Sequence, residues 1–242
     1  MANNRMLLAL ALAAALSIAA TAQQAKPLQV AVVTGGHDFD KRPFKDMLKH
    51  LDGMACALLE QKDDAEFLED ISSWDYDVVV LYNMSKKITD KRKQNFLKLL
   101  DKGVGIVVLH HAVANFPDWP EYADIIGAHY YLDDTPPHGR SQYKHDVTIP
   151  VAIANPDHPV TRGVQPFELV DEVYSNYDFL PGSEVLLTTT QPDSAKVLAH
   201  AKTTKNSRLV YIQLGHGPQA FSDKNYLQLL HNAILWTAKQ TN

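Results

Sequence analysis

Three predicted strands of this chain end in histidine, at positions far apart in the sequence. His37 follows the apolar run LQVAVVT and a glycine pair, His110 and His111 follow the run GVGIVVL, and His216 lies between two glycines after RLVYIQL. Neutral imidazole binds zinc and similar divalent ions, and it exchanges protons near neutral pH. If the strand ends meet, His37, His110 and His216 could bind a metal. A metal-free acid–base site is the alternative.

Two carboxylates in the apolar run FELVDEVY are further candidates. Glu172 could act as a general base or metal ligand beside His110, His111 and His216, and Asp171 could bind substrate. Either carboxylate could instead cap a turn or pair with Arg162. His37 could be a solvated turn residue. One of His110 and His111 could bond within the core, because neighbouring strand residues point to opposite faces.

A long irregular stretch, GAHYYLDDTPPHGRSQYKHD, contains three more histidines. Loops of this length in compact domains are often binding loops, and the aromatic and histidine content favours an ordered one. We therefore predict that substrate is bound by a set of polar and aromatic side chains drawn from this loop and the strand ends: His37, Trp119, Tyr130, His145, Asp171, Tyr174 and Gln213.

Alternating strands and helices position these residues. Apolar runs and capping signals predict, in order, strand 28–34, helix 44–51, strand 55–59, helix 63–71, strand 77–82, helix 89–103 and strand 105–114. Such alternation is typical of a parallel, doubly wound α/β sheet, whose ligands bind beyond the carboxyl ends of the strands. Later runs predict an antiparallel extension of that sheet and two more helices: strands 146–154, 167–174, 184–190, 196–201 and 209–214, and helices 121–126 and 225–239.

The N-terminus and the composition restrict the partners. Residues 1–22 combine one basic residue, an apolar run and the small-residue ending Ala-Thr-Ala, which predicts a cleaved signal peptide rather than a retained anchor. We expect residues 23–242 to be one domain, secreted or periplasmic, with no membrane contact after cleavage. The formal net charge of −5 and the lack of a basic patch argue against nucleic acid. The single Cys56 excludes an internal disulfide, and a homo-oligomer is an open alternative.

Several motifs together resemble the ThuA-like (trehalose-utilisation) family. They are VVTGGHDF, GVGIVVLHHA, YKHDV, HPVTRGV, DEVY and, above all, RLVYIQLGHGPQAF with NYLQLLHNAILW, and they extend over nearly the whole predicted mature chain. The resemblance implies a fold like that of class I glutamine amidotransferases, a flavodoxin-like three-layer sandwich with a mostly parallel central sheet. It also implies a sugar substrate, including keto-sugar derivatives.

The chain departs from the amidotransferase pattern at the decisive position. Those enzymes present a cysteine nucleophile where this sequence has His110 and His111, and Cys56 lies far upstream. Acyl transfer needs a nucleophile beside its base, so glutamine hydrolysis is disfavoured. We expect an enzyme that acts on (keto-)glycosides by isomerisation, elimination or hydrolysis, through histidine acid–base chemistry or a divalent ion such as zinc. The alternative is a non-catalytic sugar-binding module.

Overall fold

A computed structural model describes residues 26–62, 64–134 and 136–241. The predicted signal peptide, residues 1–22, lies outside the described residues. Within these residues, eleven strands and five α-helices follow one another in the order β1 Leu28–Gly35, α1 Lys41–Leu48, β2 Met54–Glu60, β3 Val78–Asn83, α2 Asp90–Lys102, β4 Gly105–Leu109, α3 Pro120–Ile126, β5 Ala128–His129, β6 Gln142–Ile153, β7 Phe167–Ser175, β8 Asp178–Phe179, β9 Glu184–Thr189, β10 Val197–Thr204, β11 Ser207–Ile212, α4 Pro218–Ser222 and α5 Lys224–Thr237.

Nine of the strands form one mixed sheet, in the order β2-β1-β3-β4-β11-β10-β9-β6-β7. The pairs from β2 to β11 are parallel, and those from β11 to β7 are antiparallel. This arrangement confirms the predicted parallel core with an antiparallel extension. It also places the ends of β1, β3, β4 and β11 side by side, because parallel neighbours end at the same edge.

Helices cover both faces of the parallel core. Alternate strand residues divide between two hydrophobic clusters, so that Val80 and Val107 pack with α1, α4 and α5, whereas Val79 and Val108 pack with α2 and α3. Strands buried on both faces explain why their sequences are continuous apolar runs rather than alternating ones. The result is the predicted three-layer α/β sandwich. Among the described helices, none is both long and apolar enough to span a bilayer.

Three predicted elements differ from those in the structure in type or by more than three residues at an end. The helix predicted at 63–71 is only a 3-10 turn, Glu66–Leu68, which follows Ala65 in the left-handed region. The strand predicted at 105–114 ends at Leu109, because His110 adopts a φ of +52° and starts a second 3-10 turn, His110–Ala114. The strand predicted from 146 starts earlier, at Gln142.

The antiparallel half of the sheet curves back towards the parallel half. Strand β7 is terminal, and β10, β9 and β6 separate it from β11 in the sheet order. Nevertheless, the Asp171 carboxylate of β7 accepts hydrogen bonds from the amides of Gly215 and His216, which follow β11. This curvature brings β7 over the carboxyl ends of the parallel strands, where the histidines lie.

Candidate active site

His110 lies at a sharp turn directly after β4. Its left-handed backbone is uncommon for a residue other than glycine and costs roughly 1–3 kcal/mol, so the surrounding structure must hold it in place. The Nδ1 atom of its buried ring lies 2.6 Å from the carbonyl oxygen of Gln213. A carbonyl only accepts hydrogen bonds, so Nδ1 must carry a proton. The Nε2 atom is then directed into the site, where it can donate to Glu172 when the ring is protonated and can bind an ion through its lone pair when the ring is neutral.

Three potential ligand atoms meet at this turn. The Nε2 atom of His110 lies 2.8 Å from Oε2 of Glu172, and Nδ1 of His216 lies 3.2 Å from the same oxygen. The two histidine nitrogens are 3.3 Å apart. His110 and Glu172 are buried, whereas His216 is partly exposed. The three side chains come from the ends of β4 and β11 and from β7, so the site joins both halves of the sheet.

Tyr174 adds a buried hydroxyl to this group. Its oxygen lies 2.8 Å from Nε2 of His110 and 3.0 Å from Oε2 of Glu172. Burial, with the nearby Glu172 carboxylate, raises the pKa of Tyr174 well above its ordinary value. The hydroxyl therefore stays protonated and can donate a hydrogen bond to the carboxylate.

The charge on Glu172 is stabilised by its neighbours. Burial alone would raise the pKa of this carboxyl, but hydrogen bonds from His110 and His216 outweigh burial and lower it. The hydrogen bond with Glu172 raises the pKa of His216, although burial opposes this shift. The carboxylate is thus ionised, and it favours a protonated His216 imidazole beside it.

Asp171 has a different function from its neighbour Glu172. Its two carboxylate oxygens accept hydrogen bonds from the backbone amides of Gly215, at 2.6 Å, and His216, at 3.0 Å. Burial raises the pKa of Asp171, and these two amides together with His110 oppose the shift. On the other side of the loop, the Tyr82 hydroxyl donates to the carbonyl oxygen of Gly215 at 2.9 Å. Asp171 therefore positions His216 rather than facing the cleft.

A cleft of about 300 Å³ opens beside the three ligand atoms, with Glu172 and Tyr174 in its wall. His37 and His111 stack there at a ring separation of 4.4 Å, and His111 is held by its Nε2 atom, 3.3 Å from the carbonyl oxygen of Tyr82. Burial lowers the pKa of His111 far below its ordinary value, so this ring is neutral. Glu172 lies with His110 and His216 in the group of potential ligands, and His37, predicted as a metal ligand, lies in the cleft wall.

Other predicted substrate-binding residues are divided between the cleft and the core. Tyr130 and His145 line the cleft, and Nδ1 of His145 lies 3.4 Å from Oε1 of Glu172. Trp119 is instead buried in the core, with its ring 5.8 Å from that of Phe96. The side chain of Gln213 is also buried, where it hydrogen-bonds Tyr177 and Ser194. Its contribution to the site is its backbone carbonyl.

Sequence reasoning missed six residues that line the cleft: Met84, Val113, Ala114, Leu132, Arg140 and Tyr143. Three of them lie in or next to the histidine-containing loop that was predicted to bind substrate. The charge of Arg140 and the aromatic ring of Tyr143 within that loop were the available signals. Met84 follows β3 and carries no signal of its own.

The comparison with protein families agrees with the motifs. The family model ThuA, described as trehalose utilisation, matches residues 29–237. The chain belongs to the ThuA family. No curated protein is significantly similar to it in sequence.

Solved structures of ThuA-like proteins share this fold. One from Parabacteroides merdae has a TM-score of 0.74 and 20% sequence identity, with 89% of this chain and 91% of that chain covered. Another, from Bacteroides uniformis, has a TM-score of 0.60 and 22% identity, with coverages of 88% and 92%. A β-galactosidase from Bacillus circulans sp. alkalophilus has a TM-score of 0.57 and 13% identity, and the match covers 88% of this chain but 31% of that one.

The ThuA-family fold here presents histidine at the turn after β4. A strained turn between a strand and the next helical segment is how nucleophiles are exposed on α/β sheets. The residue at this turn is His110, and Cys56 lies on β2, where burial raises the pKa of its thiol to about 11. The geometry therefore favours proton transfer or metal binding by the imidazole over nucleophilic attack by a thiolate.

Proposed function

We propose that this ThuA-family chain is an exported enzyme that acts on glycosides, including keto-glycosides. In this proposal, His110, Glu172 and His216 bind a divalent ion such as zinc. The observation that carries the proposal is the meeting of three ligand atoms at separations of 2.8, 3.2 and 3.3 Å beside a cleft. Two nitrogens and an oxygen around one open position are what a catalytic zinc site requires.

The donor set fits such an ion in its geometry and its outer contacts. Ligand atoms about 2.0–2.1 Å from a tetrahedral zinc are separated by roughly 3.3 Å, close to the distances among these three atoms. The carbonyl oxygen of Gln213 fixes the ring of His110 from its far side, and the Tyr174 hydroxyl contacts Glu172. Outer hydrogen bonds of this kind orient metal ligands and set their tautomers.

Acid–base chemistry on a sugar is consistent with this arrangement. A bound ion would polarise a carbonyl or hydroxyl oxygen of the substrate or lower the pKa of a water molecule. A carbonyl on the ring acidifies the neighbouring C–H, and an imidazole can then remove that proton. His145 has a half-exposed side chain that lines the cleft and lies outside the ligand group, which makes it a candidate for this transfer. Isomerisation, elimination and hydrolysis of a keto-glycoside can each begin with this proton removal.

Family and cleft composition support a sugar as substrate. The family description is trehalose utilisation, and the cleft wall includes the rings of Tyr130, Tyr143 and Tyr174. A volume of about 300 Å³ is at the lower end for small-molecule sites, which suits one or two sugar units.

Residues 1–22 are proposed to direct export to the periplasm or medium, and neither nucleic acid nor membrane is proposed as a partner. Homo-oligomer formation remains an alternative to a monomer.

Metal titration tests the ligand group. Metal-free protein should bind about one equivalent of zinc or cobalt, and His110→Gln or Glu172→Gln should weaken binding by more than about 100-fold, because each substitution removes a ligand. Calorimetry or the absorbance of bound cobalt measures this. His50→Gln, at an exposed position, is the matched control. Undiminished binding in both ligand variants would remove these residues from the site.

Turnover tests the reaction separately. Purified protein loaded with zinc should convert a 3-keto-glycoside faster than metal-free protein, and His110→Gln should lower the rate by at least about 100-fold. Product analysis distinguishes isomerisation, elimination and hydrolysis. Recovery of a bound glycoside unchanged would instead indicate the sugar-binding module.

A further inference from the structure

Arg140 lines the cleft, and no carboxylate among the described residues forms an ion pair with it. It lies in the loop before β6, and its side chain faces the same cavity as Glu172 and His145. None of the ion pairs formed among the described residues involves Arg140. Glu172 is the buried carboxylate in the cleft wall, and it is already engaged by His110 and His216. The guanidinium of Arg140 is therefore available to a ligand.

Backbone hydrogen bonds hold Arg140 in this position. The Asn176 side chain donates to the carbonyl oxygen of Arg140 at 2.9 Å and to that of His138 at 3.2 Å. On the other side, the Ser141 hydroxyl donates to the carbonyl oxygen of Asn176 at 2.6 Å, and the Ser141 amide donates to that of Tyr131 at 3.0 Å. Because these hydrogen bonds hold the loop at His138, Arg140 and Ser141, the backbone of Arg140 is positioned before any ligand binds, which lowers the entropy lost on binding.

Tyr130 supplies a second donor on the same wall. Burial raises the pKa of Tyr130 to about 12, Glu172 adds to this shift, and the charge of Arg140 reduces it. Tyr130 and Arg140 line the same cleft, and the Tyr130 hydroxyl stays protonated at neutral pH. The guanidinium offers several N–H donors and no acceptor, and the phenol adds an O–H donor. That donor pattern matches the oxygens of an anion.

We propose that Arg140, with Tyr130, binds an anionic group on the sugar, so that this site prefers acidic glycosides to neutral ones. The proposal rests on the proposed function, because it assumes a sugar in the cleft. The chemistry that fits is a carboxylate, as in a uronic acid, or a phosphate ester. Both present planar or tripodal oxygens that a guanidinium can bind through two hydrogen bonds. Arg140 would thus determine specificity without taking part in proton transfer.

Binding of three probes tests this preference. Methyl glucuronide and methyl glucoside differ by a carboxylate in place of a hydroxymethyl group, and glucose 6-phosphate supplies the phosphate. Wild-type protein loaded with zinc should bind one of the two anions at least about tenfold more tightly than methyl glucoside, as measured by calorimetry. Arg140→Gln should abolish the preference, whereas Arg140→Lys should keep part of it, because the charge remains but the paired geometry is lost.

Two controls separate the outcomes. Arg42→Gln removes an exposed arginine on α1 and should leave the preference intact. Zinc uptake by Arg140→Gln should equal that of wild type, which verifies the fold and the ligand group. Equal affinity of wild-type protein for all three probes, no binding of any probe, or a preference that survives Arg140→Gln would each overturn the proposal. Because zinc uptake and keto-glycoside turnover are measured independently, the proposed function can stand or fail separately.

Discussion

Asp171 and Glu172 are adjacent carboxylates that make different contacts. Glu172 faces the histidines, whereas Asp171 accepts the amides of Gly215 and His216. The sequence identified both as site candidates but could not divide the tasks, because the division depends on which loop packs against β7. That loop lies 44 residues further along the chain from Asp171.

Replacing Asp171 with asparagine should weaken the site indirectly. In Asp171→Asn, one acceptor oxygen becomes an NH₂ group, which faces a backbone N–H donor and leaves it without a partner. We expect a loss of about 1–3 kcal/mol in the free energy of unfolding and a 10- to 100-fold weaker zinc affinity. Chemical denaturation and zinc titration measure the two effects. Asp193→Asn, at an exposed ion pair, is the control, and zinc affinity unchanged in Asp171→Asn would contradict the positioning role.

At the scale of the elements, the succession of strands and helices along the chain, and the histidines that follow the strands, could be predicted from the sequence. The turn after β4 could not. Residues 105–114 are all buried, so a continuous apolar run hides the change from strand to 3-10 turn at His110. Periodicity cannot distinguish a buried strand from a buried turn of this kind. The ends of β1 and β11 were easier to predict because glycines mark them.

Gly215 should tolerate no side chain in the loop after β11. Its φ is +119°, and a Cβ atom there would lie 2.4 Å from the Tyr226 hydroxyl oxygen. Gly215→Ala should therefore lower the free energy of unfolding by more than about 2 kcal/mol, from backbone strain and steric overlap. The control is Gly53→Ala, with φ of +76° and no atom within 4 Å, which should cost only about 1 kcal/mol.

Chemical denaturation measures both glycine variants. Adding Tyr226→Phe to Gly215→Ala removes the overlapping oxygen and should restore part of the lost stability. Equal destabilisation in Gly215→Ala and Gly53→Ala would show that the Tyr226 contact is unimportant.

At the scale of the whole molecule, the curvature of the antiparallel half could not be predicted from the sequence. Local patterns located β6, β7, β9 and β10, but their pairing order and the return of β7 towards β11 arise from long-range contacts. The two histidines of the ligand group could therefore be located at strand ends from the sequence, whereas the contact of Glu172 with them required the structure. Trp119 was misplaced for a similar reason, because an aromatic residue near a binding loop can equally fill the core.

His200 connects strand β10 to helix α3, and its titration should make the free energy of unfolding depend on pH. It lies on β10, and its Nε2 atom donates to the carbonyl oxygen of Ile126 in α3 at 2.8 Å. Burial lowers its pKa to about 4, although the Ile126 hydrogen bond opposes the shift. Below pH 6.5 the unfolded chain binds a proton at this residue and the folded chain does not. Stability is therefore lost as the pH falls from 6.5 to 4, by about 3 kcal/mol from this group.

Denaturation at several pH values tests this linkage. The stability difference between wild type and His200→Gln should shrink as the pH falls from 7 to 4, because the variant lacks the titrating group. His50→Gln, at an exposed histidine, should leave the pH profile nearly unchanged. A difference between wild type and His200→Gln that stays constant over this range would refute the assignment.

The return of β7 has a consequence for how the chain resists degradation. A zinc ion bound by His110, Glu172 and His216 would cross-link distant parts of the chain, because Glu172 and His216 lie 62 and 106 residues after His110. It would hold the edge strand β7 against the centre of the sheet. Ligands that bind only the native state stabilise it in proportion to the logarithm of their concentration. The paired strands β6 and β7 should then exchange their amide hydrogens more slowly, and be cleaved by proteases more slowly, at high zinc concentration. The metal supply would in this way set the lifetime of the protein as well as its chemistry.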